Sequence, residues 1–207
     1  MRFSKDKIVD MARMCGLVYD NEETIDKKYT TGRPYNKTQA EIAFNNCKCL
    51  PKFLSSDIDC QVFYVEYDDV LMVCFRGTES KLDVWADLNI TKEIFKLTNL
   101  PEEAWPEVHE GFLTQFNSIK DKIDEACSNA ENIVFCGHSL GGALATLASL
   151  HYAYKHLNTS VSCVTFGSPR VGDYEFKRLF DHKIKMSLRY VNDNDPIPCI
   201  PTAWRFR

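Results

Sequence analysis

The feature that most constrains this chain is a glycine-flanked serine set between two unlike apolar segments. Gly137-His138-Ser139-Leu140-Gly141 follows the β-rich run Ile133-Val134-Phe135-Cys136 and precedes residues 140–157, which are rich in Ala and Leu at helical spacing. A G-x-S-x-G string arises by chance in a chain of this length about 7% of the time at average Gly and Ser usage, so its setting has to decide its meaning. Here the setting is strand, tight turn, helix. A reversal that abrupt leaves no room for Cβ atoms at the flanking positions and puts the serine into a strained backbone conformation. It also stands Ser139 at a helix N-terminus, where free N–H groups and the helix dipole favour a developing negative charge. Ser139 is therefore a candidate nucleophile, and the Leu140 N–H a candidate oxyanion donor.

The surrounding periodicity predicts an α/β fold with a mostly parallel central sheet and helices on both faces. Residues 4–18 place Ile8, Met11, Ala12, Cys15 and Val18 at helical spacing, with Ser4 as N-cap. Residues 60–67 and 70–75 are two β-rich runs around Asp68-Asp69 and predict a hairpin. Residues 111–127 carry Phe112, Phe116, Ile119, Ile123 and Cys127 on one face, as a helix lying on a sheet does. A strand over Asn132–Cys136, the 140–157 helix and a strand over 161–166 then form the right-handed crossover of a parallel sheet. A helix over 173–181 and a strand over 185–191 continue the alternation.

With 207 residues, 44% of them apolar, the chain is expected to bury one core as a single domain. Its net charge of -4 is spread over interspersed acids and bases, which leaves no basic stripe for nucleic acid. The N-terminal segment has no continuous apolar stretch of the secretory kind, and no run of about 18 apolar residues predicts a transmembrane segment. The nine cysteines are odd in number and scattered, several inside strand-like runs, so free thiols in a reducing, cytoplasmic setting are expected. Cys47-Lys48-Cys49 lacks a second pair at zinc-ligand spacing, and no metal is expected there.

From residue 60 onward the chain resembles the class 3 lipase family, the fungal-type triacylglycerol lipases and their esterase and phospholipase relatives. The resemblance rests on ordered motifs: Phe75-Arg76-Gly77-Thr78, Val108-His109-Glu110-Gly111-Phe112, Gly137 to Gly142, Thr165 to Gly172, and Asn194-Asp195-Pro196-Ile197-Pro198-Cys199-Ile200-Pro201. It implies an α/β-hydrolase fold and a serine hydrolase that cleaves acyl lipid esters through an acyl-enzyme. In that likeness Thr78 and Leu140 supply oxyanion N–H groups, and Asp195 holds the position of the triad aspartate. Asp195 also follows Ser139 in the Ser…Asp…His order of this fold, but Asp193 satisfies that order equally. No organic cofactor or metal is implied, because serine, histidine and oxyanion donors suffice. The expected partner is an acyl ester or lipid substrate, with transient contact at a lipid surface.

The imidazole is the missing member. His138 adjoins Ser139, so its side chain is expected to diverge from the hydroxyl; His151 and His156 lie along the following helix; His109 and His182 precede Asp195. In the family the histidine lies beyond the aspartate, and this chain stops at Arg207. The expectation is a fragment that continues, because an end at Trp204-Arg205-Phe206-Arg207 would leave apolar surface and a sheet edge exposed. The alternative is an inactive lipase-like interaction or lipid-binding module. Residues 79–106 fall where the family keeps a mobile lid, with Leu82, Trp85 and Ala86 on one helical face.

Overall fold

The computed structural model describes residues 3–19, 47, 51–77 and 91–201. Its elements run α1 (Lys5–Leu17), β1 (Lys52–Ser55), β2 (Gln61–Tyr67), β3 (Val70–Phe75), β4 (Lys92–Ile94), β5 (Glu107–His109), α2 (Glu110–Cys127), β6 (Asn132–His138), α3 (Leu140–Lys155), β7 (Ser160–Phe166), α4 (Tyr174–Lys183) and β8 (Met186–Tyr190). Six strands form one sheet in the order β1-β2-β3-β6-β7-β8. β1, β2 and β3 pair antiparallel, while β3, β6, β7 and β8 are parallel. The expected hairpin is there, and Asp68 makes its turn at φ 51°, a left-handed conformation that aspartate tolerates.

Strand alternation divides the core into two. Leu71, Val73 and Phe75 of β3 and Ile133 and Phe135 of β6 face the helices α2, α3 and α4 in an aliphatic and aromatic cluster. Met72, Cys74, Val134 and Cys136, the alternate residues of the same strands, face α1. Side chains therefore leave each buried strand on both sides, which is why these strands read as continuous apolar runs. The α1 helix begins where expected, with the Ser4 side chain accepting from the Lys7 N–H at 3.2 Å, a cap worth about 1 kcal/mol. Its buried face carries Met11, Met14 and Cys15 onto the sheet. The Cys74 and Cys136 thiols meet there at 2.9 Å. Hydrogen bonds from Cys136 and then Cys74 hold the Cys15 thiol below the usual thiol range, while burial pushes Cys74 above it.

Some elements differ from expectation. β6 runs two residues past Cys136, to His138, because its ladder with β7 continues through Gly137↔Thr165 and His138↔Phe166. α3 stops at Lys155, and His156 leaves helical geometry at φ -120°. The short strands β1, β4 and β5 carry too few residues for a period to be read. The part of the expected lid around Leu82, Trp85 and Ala86 lies outside the described residues. Within residues 91–106, Phe95 and Leu97 are buried in the main cluster, and the Trp105 indole donates to the Leu97 and Leu100 carbonyls. Among the described residues no helix is long and apolar enough to cross a membrane.

Candidate active site

The site begins at the C-terminal end of β6. Ser139 takes φ 57° and ψ -126° between strand and helix, a conformation that costs an L residue about 1–3 kcal/mol. Packing on both sides enforces it. A Cβ at Gly137 would run into the Gly141 carbonyl, and one at Gly141 would run into the Phe75 carbonyl, so the strand, the helix start and β3 approach more closely than any side chain would permit. The Ser139 N–H donates to the Phe166 carbonyl at 3.0 Å, which ties the turn to the end of β7. Ser139 itself is buried, at 8% exposure. Leu140 opens α3, so its N–H has no acceptor within the helix, the usual condition of N–H groups at a helix N-terminus.

β3 brings a second segment to the same place. Phe75 is the register partner of Gly137, so Arg76 and Gly77 leave the sheet beside the Ser139 turn. Thr78 follows directly and lies outside the described residues.

Asp195 arrives from the loop after β8. One carboxylate oxygen accepts from the Ile197 N–H at 3.0 Å, and the other lies so close to Gly167 that a Cβ there would stand 2.8 Å from it. Gly167 meets that approach at φ 57°, a conformation open to glycine. The Arg189 guanidinium locks the two loops together by donating to the Ser168 carbonyl at 2.8 Å and the Pro198 carbonyl at 2.9 Å. Arg170 adds its own N–H to the Ile200 carbonyl at 2.8 Å. The Phe166-Gly167 peptide thus anchors both halves: Ser139 bonds to its carbonyl and Asp195 rests on its glycine. Asp193, the other carboxylate that chain order left open, is exposed and does not share this environment.

The five histidines fall as follows. His109 is buried, stacks on Phe112 at 4.3 Å and caps α2 by accepting from the Gly111 N–H. His151 pairs with Asp124 at 3.2 Å, His156 stacks on Tyr152, and His182 lies exposed in the last turn of α4. His138 is the one near the site. Its Nδ1 is 3.0 Å from the Tyr19 hydroxyl, and a Cβ at Gly167 would stand 3.6 Å from its Nε2. Burial lowers its proton affinity, and the Asp195 charge partly restores it. Sequence reading missed Tyr19, Gly167 and Arg189. Gly167 stands within a quoted motif and carried a signal; the other two act through contacts that join distant segments.

The end of the sheet where these groups gather is the carboxyl end of the parallel strands, the usual location of sites in open α/β folds. A cleft of about 1020 Å³ lies elsewhere, by Lys52, Tyr64, Val70, Lys122 and Asn132 at the opposite end of β3 and β6. Comparison with known proteins then decides the family. The sequence profile described as lipase (class 3) matches residues 72–204. The chain belongs to the class 3 lipase family. It is 31% identical to Lipase ZK262.3 of Caenorhabditis elegans over 147 residues, covering 67% of this chain and 40% of that protein. It is 32% identical over 169 residues to phospholipase A1-II 3 of Oryza sativa subsp. japonica, covering 65% of this chain and 39% of that protein. The chain thus spans about two fifths of the length of these relatives. The solved structure of lipase II from Rhizopus niveus superposes with a TM-score of 0.77 at 21% identity, over 97% of this chain and 76% of that one. The class 3 lipase chain accordingly has the α/β-hydrolase fold.

Proposed function

We propose that this class 3 lipase chain carries the nucleophile and the orienting acid of a carboxylic ester hydrolase that cleaves acyl lipid esters through an acyl-enzyme. The observation that carries the reading is the left-handed Ser139 at the start of α3, held to the same Phe166-Gly167 peptide that Asp195 rests on. Ser139 Oγ attacks the ester carbonyl carbon as an imidazole takes its proton. The carbonyl π pair moves onto oxygen, and the Leu140 and Thr78 N–H groups hold that oxyanion. The tetrahedral adduct expels the alcohol, which leaves with the proton from the imidazolium. Water then attacks the acyl-enzyme by the same route and frees the acid. Asp195 orients the imidazole and stabilises its charged form. That base is expected downstream of Asp195 in the chain order of this fold.

The names of the two relatives, a lipase and a phospholipase A1, support esters with at least one long acyl chain as substrates. The amphipathic spacing of Leu82, Trp85 and Ala86 supports a transient contact with a lipid surface. Hydrolysis of p-nitrophenyl esters of increasing acyl length, measured on the natural gene product that contains this chain, tests the reading. Turnover that rises from acetate to octanoate and falls by more than about 10⁴-fold in Ser139→Ala is expected. Turnover that survives Ser139→Ala would assign the chemistry to another residue.

A further inference from the structure

Three cysteines from three elements far apart in the chain converge on the face of the sheet that α1 covers. The Sγ atoms of Cys15 in α1, Cys74 in β3 and Cys136 in β6 all lie within 4.8 Å of one another, and all three residues are buried. A metal bound to sulfur at about 2.3 Å at the centre of an equilateral triangle needs sulfurs about 4.0 Å apart, inside that limit. Cys74 and Cys136 are register partners in the parallel ladder, with thiols 2.9 Å apart. Their strands are spaced by about 4.8 Å, a backbone separation compatible with sulfurs about 4.0 Å apart.

The chemistry of the donors narrows the ion. Among the described residues the group contains no imidazole or carboxylate, and so no fourth ligand of the kind a structural zinc demands. The surrounding cluster instead contains Met11, Met14 and Met72, all fully buried, which gives the three thiols polarizable, sulfur-rich surroundings. Such donors select soft cations. We propose that Cys15, Cys74 and Cys136 form a buried trigonal site for copper(I). Loading is a ligand exchange without oxidation or reduction: copper–sulfur bonds form as thiol protons pass to solvent. The ion would cross-link α1 to the two strands that lead into the Phe75–Gly77 segment and the Ser139 turn. A local opening of α1 gives it entry. No spacing rule finds such a site, because the ligands come from separate segments rather than from a paired motif such as Cys47-Lys48-Cys49.

The test uses the full-length protein, reduced and under nitrogen, with copper(I) offered in competition with a chromophoric copper(I) chelator. One copper per chain is expected to be withheld, with about three sulfurs at about 2.2–2.3 Å in its X-ray absorption spectrum. Cys15→Ala, Cys74→Ala and Cys136→Ala should each weaken retention by more than about 100-fold, beyond the effect of losing an outer partner of a metal site. Cys163→Ala and Cys199→Ala should not. The absorption spectrum of the wild-type protein decides the matter even if a core variant does not fold. Failure of the wild-type protein to hold copper against the chelator, a shell of nitrogen or oxygen, unchanged retention in folded Cys15→Ala, or a Cys74–Cys136 disulfide in protein that takes up no copper would each overturn the proposal. Ester hydrolysis is not a readout here, so failure of this site leaves the hydrolase reading untouched.

Discussion

Two turns bring the candidate site together, and they are held in opposite ways. The turn at Ser139 is fixed by exclusion: Gly137 and Gly141 sit where strand, helix and neighbouring strand leave no space for a Cβ, and the backbone has one way through. The turn at Asp195 is fixed by attachment. Its own carboxylate accepts from the Ile197 N–H, and the Arg189 guanidinium reaches across to two carbonyls. A turn held by close packing shows in the sequence as obligatory glycines. A turn held by long-range polar contacts shows only as a motif whose reason lies elsewhere in the chain.

The sharpest break of this comparison is Gly137→Ala. Its new methyl meets backbone, which cannot swing aside, so we expect a loss of about 3 kcal/mol or more. In a chain of this size that lowers Tm by about 10 °C by scanning calorimetry, and ester turnover should vanish with it. A variant that melts within a degree or two of the wild type would show that the turn relaxes. The attached turn should behave differently. Asp195→Asn keeps the shape and the Ile197 hydrogen bond but removes the charge, so turnover should fall by about 10⁴-fold with little change in Tm. Asp193→Asn should leave turnover unchanged, and a reversal of these two results would exchange the assignments. Arg189→Met frees the Ser168 and Pro198 carbonyls from one another. We expect turnover lower by about 10-fold at a largely unchanged KM, since the loss falls on orientation rather than binding, and partial rescue in Arg189→Lys. An effect confined to Tm would make Arg189 structural only.

The smallest effect is a pH dependence at His138, where the two turns meet. Burial pushes this imidazole below its ordinary value near 6.5, against the partial opposition of Asp195. As pH falls through 6.5 the unfolded chain therefore takes up a proton that the folded chain resists, and stability falls with it. Urea unfolding between pH 7.5 and 5.5 should show a shallower decline in His138→Gln than in the wild type. Parallel declines would mean that His138 titrates alike in both states.

Most of the fold was legible because its signals are local. Alternation and helical spacing marked the hairpin, the Ser139 crossover and the two elements after it within a few residues, and the Ser4 cap was read directly. The strands Lys52–Ser55, Lys92–Ile94 and Glu107–His109 were not, since three or four residues define no period and their pairing partners lie elsewhere. The tight turn at Ser139 was readable because steric exclusion writes itself into glycines. The family motif put Asp195 in the aspartate's place while chain order alone left Asp193 open, and the difference in their surroundings, the approach to Gly167 and the exposure of Asp193, shows only in the fold. Arg189, Tyr19 and the thiol cluster under α1 were invisible for a common reason: each depends on segments that only folding brings together.

The most direct test of the central claim is reaction of the natural gene product with a fluorophosphonate, followed by peptide mapping of the adduct. An activated nucleophile at the Ser139 turn predicts a single stoichiometric phosphonyl group on the peptide that contains Ser139, abolished in Ser139→Ala and strongly slowed in Asp195→Asn. Labelling at another serine, or none above the Ser139→Ala background, would contradict it.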